Sequence, residues 1–322
     1  MIELIGVSKT FNGRTAVDAI DLTIPKGSIC VLVGTSGCGK STTLRMINRL
    51  LPHDAGIIRI DGQEIRSFNE QKLRQQIGYA IQSTGLFPHW TVERNIGLVP
   101  RLLRWPKQNI QDRVEELMTL LDLDPAIYAR QYPRQLSGGQ AQRVGVARAL
   151  AGNPETLLMD EPFGALDPIT RDNLQNELLR IQAQVKKTIV FVTHDIDEAL
   201  KLASQIVVMD QGRIVQVDHP EQLLRHPANA YVENLFGSQD RGLKLASLFP
   251  VRSLFETDTP IQANGLKAPG SGPEDCIEAT DSLRLALSKM LWAGASEMPV
   301  VDANGQVLGQ LTLEQILRAN GK

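Results

Sequence analysis

The chain has 322 residues, 34 basic against 36 acidic, with a formal net charge of -2 and 42% hydrophobic residues. That length can bury one large globular domain and leave residues for a smaller one, while the near-neutral charge argues against bulk binding of nucleic acid. No apolar run approaches the roughly 18 to 20 residues that span a bilayer, and Met1-Ile2-Glu3-Leu4-Ile5 is not a charged leader before an apolar core, so the chain reads as cytosolic and unprocessed. Cys30, Cys38 and Cys276 are too few and too scattered for a disulfide framework or a spaced metal site and are expected to be thiols.

In chain order, Ala19 to Ile24 places Ile20, Leu22 and Ile24 on one face, the alternation of a half-buried strand, and predicts an antiparallel flank. Ile29 to Val33, Thr156 to Met159 and Ile189 to Val192 are uniformly apolar, as strands buried on both faces of a parallel sheet are. Each runs into polar residues, and open α/β sheets bind their ligands beyond the carboxyl ends of such strands. From about Thr91 to Gly152 the pattern turns helical, with Val114, Leu117, Met118 and Leu121 at i, i+3, i+4 and i+7, which predicts a helical subdomain inserted into the sheet. Ile206 to Met209, a Gln211-Gly212 turn and Ile214 to Val217 predict a closing strand pair.

Gly34-Thr35-Ser36-Gly37-Cys38-Gly39-Lys40-Ser41, followed by Thr42 and Thr43, has the composition and spacing of a phosphate-binding loop. Its glycines let backbone N–H groups curl around phosphate oxygens, Lys40 is placed to reach the β- and γ-phosphates, and the Ser41 hydroxyl is placed to ligate Mg²⁺. Leu44, Ile47 and Leu51 continue a helix whose N-terminal dipole faces the phosphates, and Cys38 reads as a small filler rather than a nucleophile.

Thr156 to Pro162 ends a buried strand in two carboxylates, a pattern that ordinary surface turns also show. Beside a phosphate loop, Asp160 fits the acid that holds Mg²⁺ through water and Glu161 the group that polarises an attacking water. Leu136-Ser137-Gly138-Gly139-Gln140 supplies an N-cap at Ser137, two glycines that permit close backbone approach, and a helical continuation from Ala141 to Leu150. This second helix N-terminus is either an ordinary cap or a second jaw on the γ-phosphate.

Over about Met1 to Gly237 this set of residues resembles the ATP-binding subunits of ABC transporters, with Leu136 to Gln140 as their signature motif. The resemblance implies a P-loop α/β fold with a parallel core sheet, an antiparallel flank and a helical subdomain. It also implies ATP and Mg²⁺ as cofactors and a head-to-tail homodimer, in which Ser137, Gly138, Gly139 and Gln140 of one copy close over ATP at the phosphate loop of the other. Carried over by position, Phe11 stacks on adenine, Gln82 contacts Mg²⁺ and the attacking water, Asp167 lies in the loop linking the two sites, and His194 grips the γ-phosphate. ATP-driven closure and hydrolysis-driven reopening would then move a membrane permease. Leu86-Phe87-Pro88 resembles the family's docking segment for that permease; packing of the helical subdomain is the other reading of these side chains.

Gly78 to Ser83, Phe87 to Val92 and Pro162 to Asp167 resemble importer subunits, and among these the osmoprotectant group that takes up glycine betaine, choline and related quaternary amines. Such systems rely on an extracytoplasmic solute-binding protein and place the ATPase at the cytoplasmic face of the membrane. A linker over 238–273 precedes residues 274–322, where a helix over Asp281 to Leu291, strands at Met298 to Asp302 and Val307 to Gly309 around Asn304-Gly305, and a helix over Leu311 to Leu317 resemble a single CBS motif. Leu243 to Ile261 is at most a degenerate first copy. Gln315 stands where nucleotide-binding members carry a ribose-contacting aspartate, which favours dimerisation, regulation or a structural cap over nucleotide sensing by this tail. Other readings of the whole chain are an importer of amino acids or other small polar solutes, a nonmembrane ATPase clamp of DNA repair or translation, and a regulator that binds nucleotide without turnover. The solute itself is not written in the sequence.

Overall fold

The computed structural model describes all residues but 82–84, 165, 256–275 and 321–322. The chain divides into two compact units, Met1–His219 and Pro220–Lys322.

The strands of the first unit are β1 (Ile2–Phe11), β2 (Arg14–Ile24), β3 (Ile29–Val33), β4 (Ala55–Ile60), β5 (Gln63–Glu64), β6 (Ile77–Ala80), β7 (Thr156–Asp160), β8 (Thr188–Val192), β9 (Gln205–Asp210) and β10 (Arg213–Asp218). Six form one sheet in the order β10-β9-β3-β8-β7-β6, parallel from β9 to β6 and closed by an antiparallel β10. Every residue of β3, β7 and β8 is buried, the condition their uninterrupted apolar sequence satisfies. The antiparallel flank is a second sheet, β2-β1-β4-β5.

The strand predicted from Ala19 begins earlier, at Arg14. A bulge explains the difference: Val7 pairs with Ile20 and Lys9 with Val17, and Ala19 takes φ 45, donating its N–H to Ser8 Oγ at 2.8 Å. The buried side chains Val17 and Ile20 are therefore three residues apart, which breaks the alternation upstream of Ala19. Leu44 and Ile47 of the helix Lys40–Ile47 share one apolar core with Ile2, Leu4 and Val7 of the flank and with Leu32, Val190 and Val207 of the main sheet. This packing fixes the first turn of that helix at the carboxyl end of β3.

Between β6 and β7 lie the helices Val92–Ile96, Leu98–Leu102, Lys107–Leu120, Pro125–Tyr128 and Gly138–Ala151, within the predicted helical span. Ile110, Val114, Leu117 and Met118 form the buried stripe of the fourteen-residue helix Lys107–Leu120.

The second unit contains helices Pro220–Arg225, Ala230–Phe236 and Arg241–Leu248, then β11 (Ile277–Glu278), helix Leu283–Ala293, β12 (Glu297–Val301), β13 (Val307–Thr312) and helix Leu313–Asn320. Its sheet runs β11-β12-β13, parallel then antiparallel. The boundary at His219 and Pro220 precedes the expected one at Gly237, and the expected linker is ordered at its start: Ala246 of the helix Arg241–Leu248 and Val251 share a core with Ile277, Leu283, Met290, Val300, Leu311 and Ile316. Residues 241–255 form that helix and a short 3₁₀ turn at Val251–Leu254, not a first copy of the strand-turn-strand pattern; the rest of the expected linker lies largely outside the described residues. Leu311 and Thr312, expected to start the last helix, instead finish β13, where Leu311 is buried opposite Met298.

Candidate functional site

The three fully buried strands β3, β7 and β8 deliver the site. β3 leads into the glycine loop, where Gly34, Gly37 and Gly39 have φ of 145, 80 and 108. A Cβ at Gly34 would lie 2.1 Å from the Met209 carbonyl oxygen, so both backbone conformation and space demand glycine there. The Lys40 ammonium is folded into the loop, donating to the Gly34 and Thr35 carbonyls at 2.8 and 3.0 Å. Cys38 is buried beside it at 3.7 Å; burial pushes its thiol up and the Lys40 charge opposes that, which suits a filler and not a thiolate nucleophile. Ser36 and Gly37 are exposed on the rim, and Thr42 follows in the first turn of the helix.

β7 ends at Asp160, whose side chain is 2% exposed. One carboxylate oxygen accepts the Ser41 hydroxyl at 2.8 Å, and the other lies 3.7 Å from the Arg45 guanidinium one turn further along the helix. The next residue, Glu161, has φ 47, a conformation rare for a residue with a Cβ, and donates its N–H to the Val192 carbonyl at 3.0 Å. β8 then ends beside it, and His194 Nδ1 stands 3.4 Å from Glu161 Oε1, its ring 68% exposed. Phosphate loop, Ser41, Asp160, Glu161 and His194 are thus gathered at one end of one sheet, where a phosphoryl group and a water could be handled together.

The other expected residues are placed differently. Phe11 closes β1 with its ring 43% exposed and the Lys9 ammonium 5.4 Å from its centroid, an open aromatic face rather than a core side chain. Asp167 caps the helix Pro168–Val185 by accepting from Thr170 N at 3.0 Å, and Thr170 holds its carboxyl below the usual carboxylate range. Ser137 and Gln140 form a reciprocal capping box on the helix Gly138–Ala151, with N–H to oxygen distances of 2.8 and 3.2 Å, and Gln140 Nε2 reaches the Tyr128 hydroxyl at 3.1 Å. Ser137 and Gly138 are exposed, and a Cβ at Gly139 would meet Thr170 and Leu166 at 3.2 and 3.3 Å. The polar bonds of Ser137 and Gln140 therefore run within the helical subdomain and leave the helix N-terminus facing outward. Gln82, with Ser83 and Thr84, lies outside the described residues.

Three polar side chains that sequence reasoning missed tie this region together. Gln142 is buried in the signature helix and donates to the Pro162 carbonyl at 2.7 Å, one residue beyond Glu161. Asn95 is fully buried and holds the segment after Gln82: its Oδ1 accepts from Phe87 N at 2.8 Å, and its Nδ2 lies 3.2, 3.2 and 3.0 Å from the carbonyls of Phe87, Trp90 and Thr91. Arg171 spans from the Leu166 carbonyl to the carboxylates of Asp195 and Glu198. The one signal available was a polar residue on an otherwise apolar helix face, as Asn95 is between Val92 and Ile96. Phe87 itself is exposed, its ring tilted 35° against that of Trp90 with centroids 4.5 Å apart, and Trp90 carries the Arg94 guanidinium on its ring.

In the tail, Gln315 Oε1 accepts from Thr312 N at 2.8 Å while Thr312 Oγ1 accepts from Gln315 N at 3.2 Å. The Gln315 amide is thus engaged in capping the last helix.

Comparison with known proteins relates the sequence and the fold to a family. The family model described as ABC transporter covers residues 17–164. The glycine betaine uptake system ATP-binding protein YehX of Escherichia coli (strain K12) is 50% identical over 98% of this chain and 99% of its own. The osmoprotectant import ATP-binding protein OsmV of Salmonella typhimurium is 40% identical over 98% of this chain and 95% of its own. Among solved structures, the bacterial ABC transporter cassette MJ0796, determined as a dimer, aligns with a TM-score of 0.64 at 32% identity, covering 68% of this chain and 99% of that one. The same cassette in a dimeric post-hydrolysis state bound to ADP and Pi gives 0.63 at 31%. With a phosphate loop, a strand-end carboxylate pair and a signature helix in one fold, and relatives alike from end to end, the chain belongs to the ATP-binding, ATP-hydrolysing subunits of ABC transporters.

Proposed function

We propose that this chain powers the import of quaternary-amine osmoprotectants such as glycine betaine or choline. The observation that carries the solute class is the near full-length similarity, second unit included, to an ATP-binding protein of glycine betaine uptake. In this reading Phe11 stacks on adenine, the loop amides from Gly34 to Thr42 take the phosphates, and Lys40 exchanges the Gly34 and Thr35 carbonyls for the β- and γ-phosphates. The half-buried Ser41 hydroxyl and the buried Asp160 carboxylate present hard oxygen donors side by side, a set that suits Mg²⁺, with Gln82 as a third contact in this reading. An ion held there would neutralise charge on the phosphates. Glu161 orients and polarises the attacking water, and His194 meets the γ-phosphate beside it.

Ser137, Gly138, Gly139 and Gln140 act in trans, on the nucleotide of a second copy, and Asp167 lies along the seam between the two sites. The outward-facing helix N-terminus supports this assignment. Closure on ATP and reopening after hydrolysis are transmitted to permease subunits that dock on the exposed Phe87 segment, which places the chain at the cytoplasmic face of a membrane. None of its described helices is long and apolar enough to cross one. An extracytoplasmic binding protein selects the solute. The second unit serves as a CBS-like dimerisation or regulatory module with no nucleotide contact from Gln315.

Uptake of labelled betaine, choline and amino acids by cells with and without this subunit, at low and high osmolarity, tests the solute class. Loss of betaine or choline uptake on deletion is expected. Unchanged betaine uptake with collapsed amino-acid uptake would show the solute class to be wrong.

A further inference from the structure

The His194 side chain is 68% exposed against 25% for Glu161 beside it, so the backbone neighbours of the histidine bear on where its ring stands. Both neighbours are anchored. Thr193 donates its hydroxyl to Glu198 Oε2 at 2.6 Å in a buried bond and accepts from Asp195 N at 3.0 Å. Asp195 Oδ1 caps the helix Ile196–Leu202 through Asp197 N and Glu198 N at 2.9 and 3.2 Å.

The two anchors converge on one side chain. Arg171 Nη1 donates to Asp195 Oδ2 at 3.2 Å, and its Nε faces Glu198 Oε1 at 3.7 Å. On its other side Arg171 Nη2 donates to the Leu166 carbonyl at 3.3 Å, and its own N–H donates to the Asp167 carbonyl at 2.9 Å. We propose that Arg171 is a positioning residue for His194, linking the Leu166-Asp167 loop at the subunit seam to both residues that flank the histidine. The proposal rests on the reading of His194 as the γ-phosphate contact.

The guanidinium fork is suited to this task because its donors point in fixed, divergent directions, which a single ammonium does not reproduce. The contact also has slack in one place: Arg171 Nε is buried and makes no hydrogen bond, held at ion-pair distance from Glu198. A shift of the loop by well under an ångström suffices to close that contact, so movement at the seam is passed to the segment carrying the histidine.

The test is a double-mutant cycle in ATP turnover on the full-length chain, with wild type, Arg171→Met, His194→Ala and the double variant measured for kcat and for KM of ATP. Arg171→Met is expected to lower kcat by roughly tenfold with KM changed less than about threefold, and to have no further effect when His194 is already alanine. Equal losses in the two backgrounds, or a loss in KM alone, would overturn the proposal and leave Arg171 as a purely structural ion pair. His194→Ala turning over ATP like wild type overturns the assignment of His194 itself, a different failure. Glu198→Gln keeps the volume and the acceptor for Thr193 and removes the charge facing Arg171. It is the second probe where Arg171→Met fails to fold, with the same pattern expected and the same additivity refuting.

Discussion

Asn95→Leu isolates what a single buried amide does for the segment at which a permease is proposed to dock. The Asn95 side chain accepts one backbone N–H and shares its two amide hydrogens among three backbone carbonyls, all within residues 87–91. Leucine fills the same space on the apolar helix face and removes all of these partners. A net hydrogen bond is worth about 1 kcal/mol, and the exposed side of the segment can rehydrate some freed groups, so local opening should become easier by about 2 to 3 kcal/mol. That corresponds to roughly 30- to 150-fold faster amide exchange at Phe87 and its neighbours, with the strands of the main sheet unaffected. Hydrogen exchange resolved by mass spectrometry on peptides covering 85–91 measures it, and co-purification with the permease should weaken in parallel. Unchanged exchange there would refute the claim that Asn95 holds the segment, and unchanged co-purification despite faster exchange would refute its role in docking.

Two further outcomes are expected. Gln142→Met keeps the side-chain length but strands the Pro162 carbonyl in the interior, so urea unfolding should show a loss of about 1 to 3 kcal/mol; a loss below about 0.5 kcal/mol would mean that water replaces the amide. Burial raises the Glu198 carboxyl above its ordinary 4.5, with the Thr193 hydrogen bond opposing. Between 4.5 and the raised value the folded chain retains a proton that the unfolded chain has released, so this group's contribution to stability declines as pH rises through that window. Wild type should therefore lose stability relative to Glu198→Gln as pH rises from 4.5, and a difference independent of pH would contradict this.

What is legible in the sequence follows from the range of the interactions involved. β3, β7 and β8 are readable because burial on both faces demands an unbroken apolar run, and the phosphate loop because its glycines, lysine and serine are contiguous. β2 reads short because a bulge at Ala19 shifts the buried phase, which no period-two count follows. The helix Arg241–Leu248 reads as linker, although Ala246 and Val251 join a core whose other members begin at Ile277. Gln142 and Arg171 escape notice because their partners lie 20 and 24 residues away, where only the fold brings them together. Asn95 escapes for the opposite reason: its partners are local, but its burial is set by the helices packed around it.

In the proposed dimer each ATP is handled by two copies of the chain, the phosphate loop of one and Ser137 to Gln140 of the other. Lys40→Ala and Ser137→Arg each disable both composite sites of a homodimer, and a mixed dimer of the two variants regains one intact site. ATP turnover of the equimolar mixture, compared with each variant alone, is the direct measurement. The expected rate lies clearly above the sum of the separate variants, approaching that of a single working site in half of the dimers; a rate equal to that sum would place phosphate loop and signature in the same chain's site and rule out the shared site.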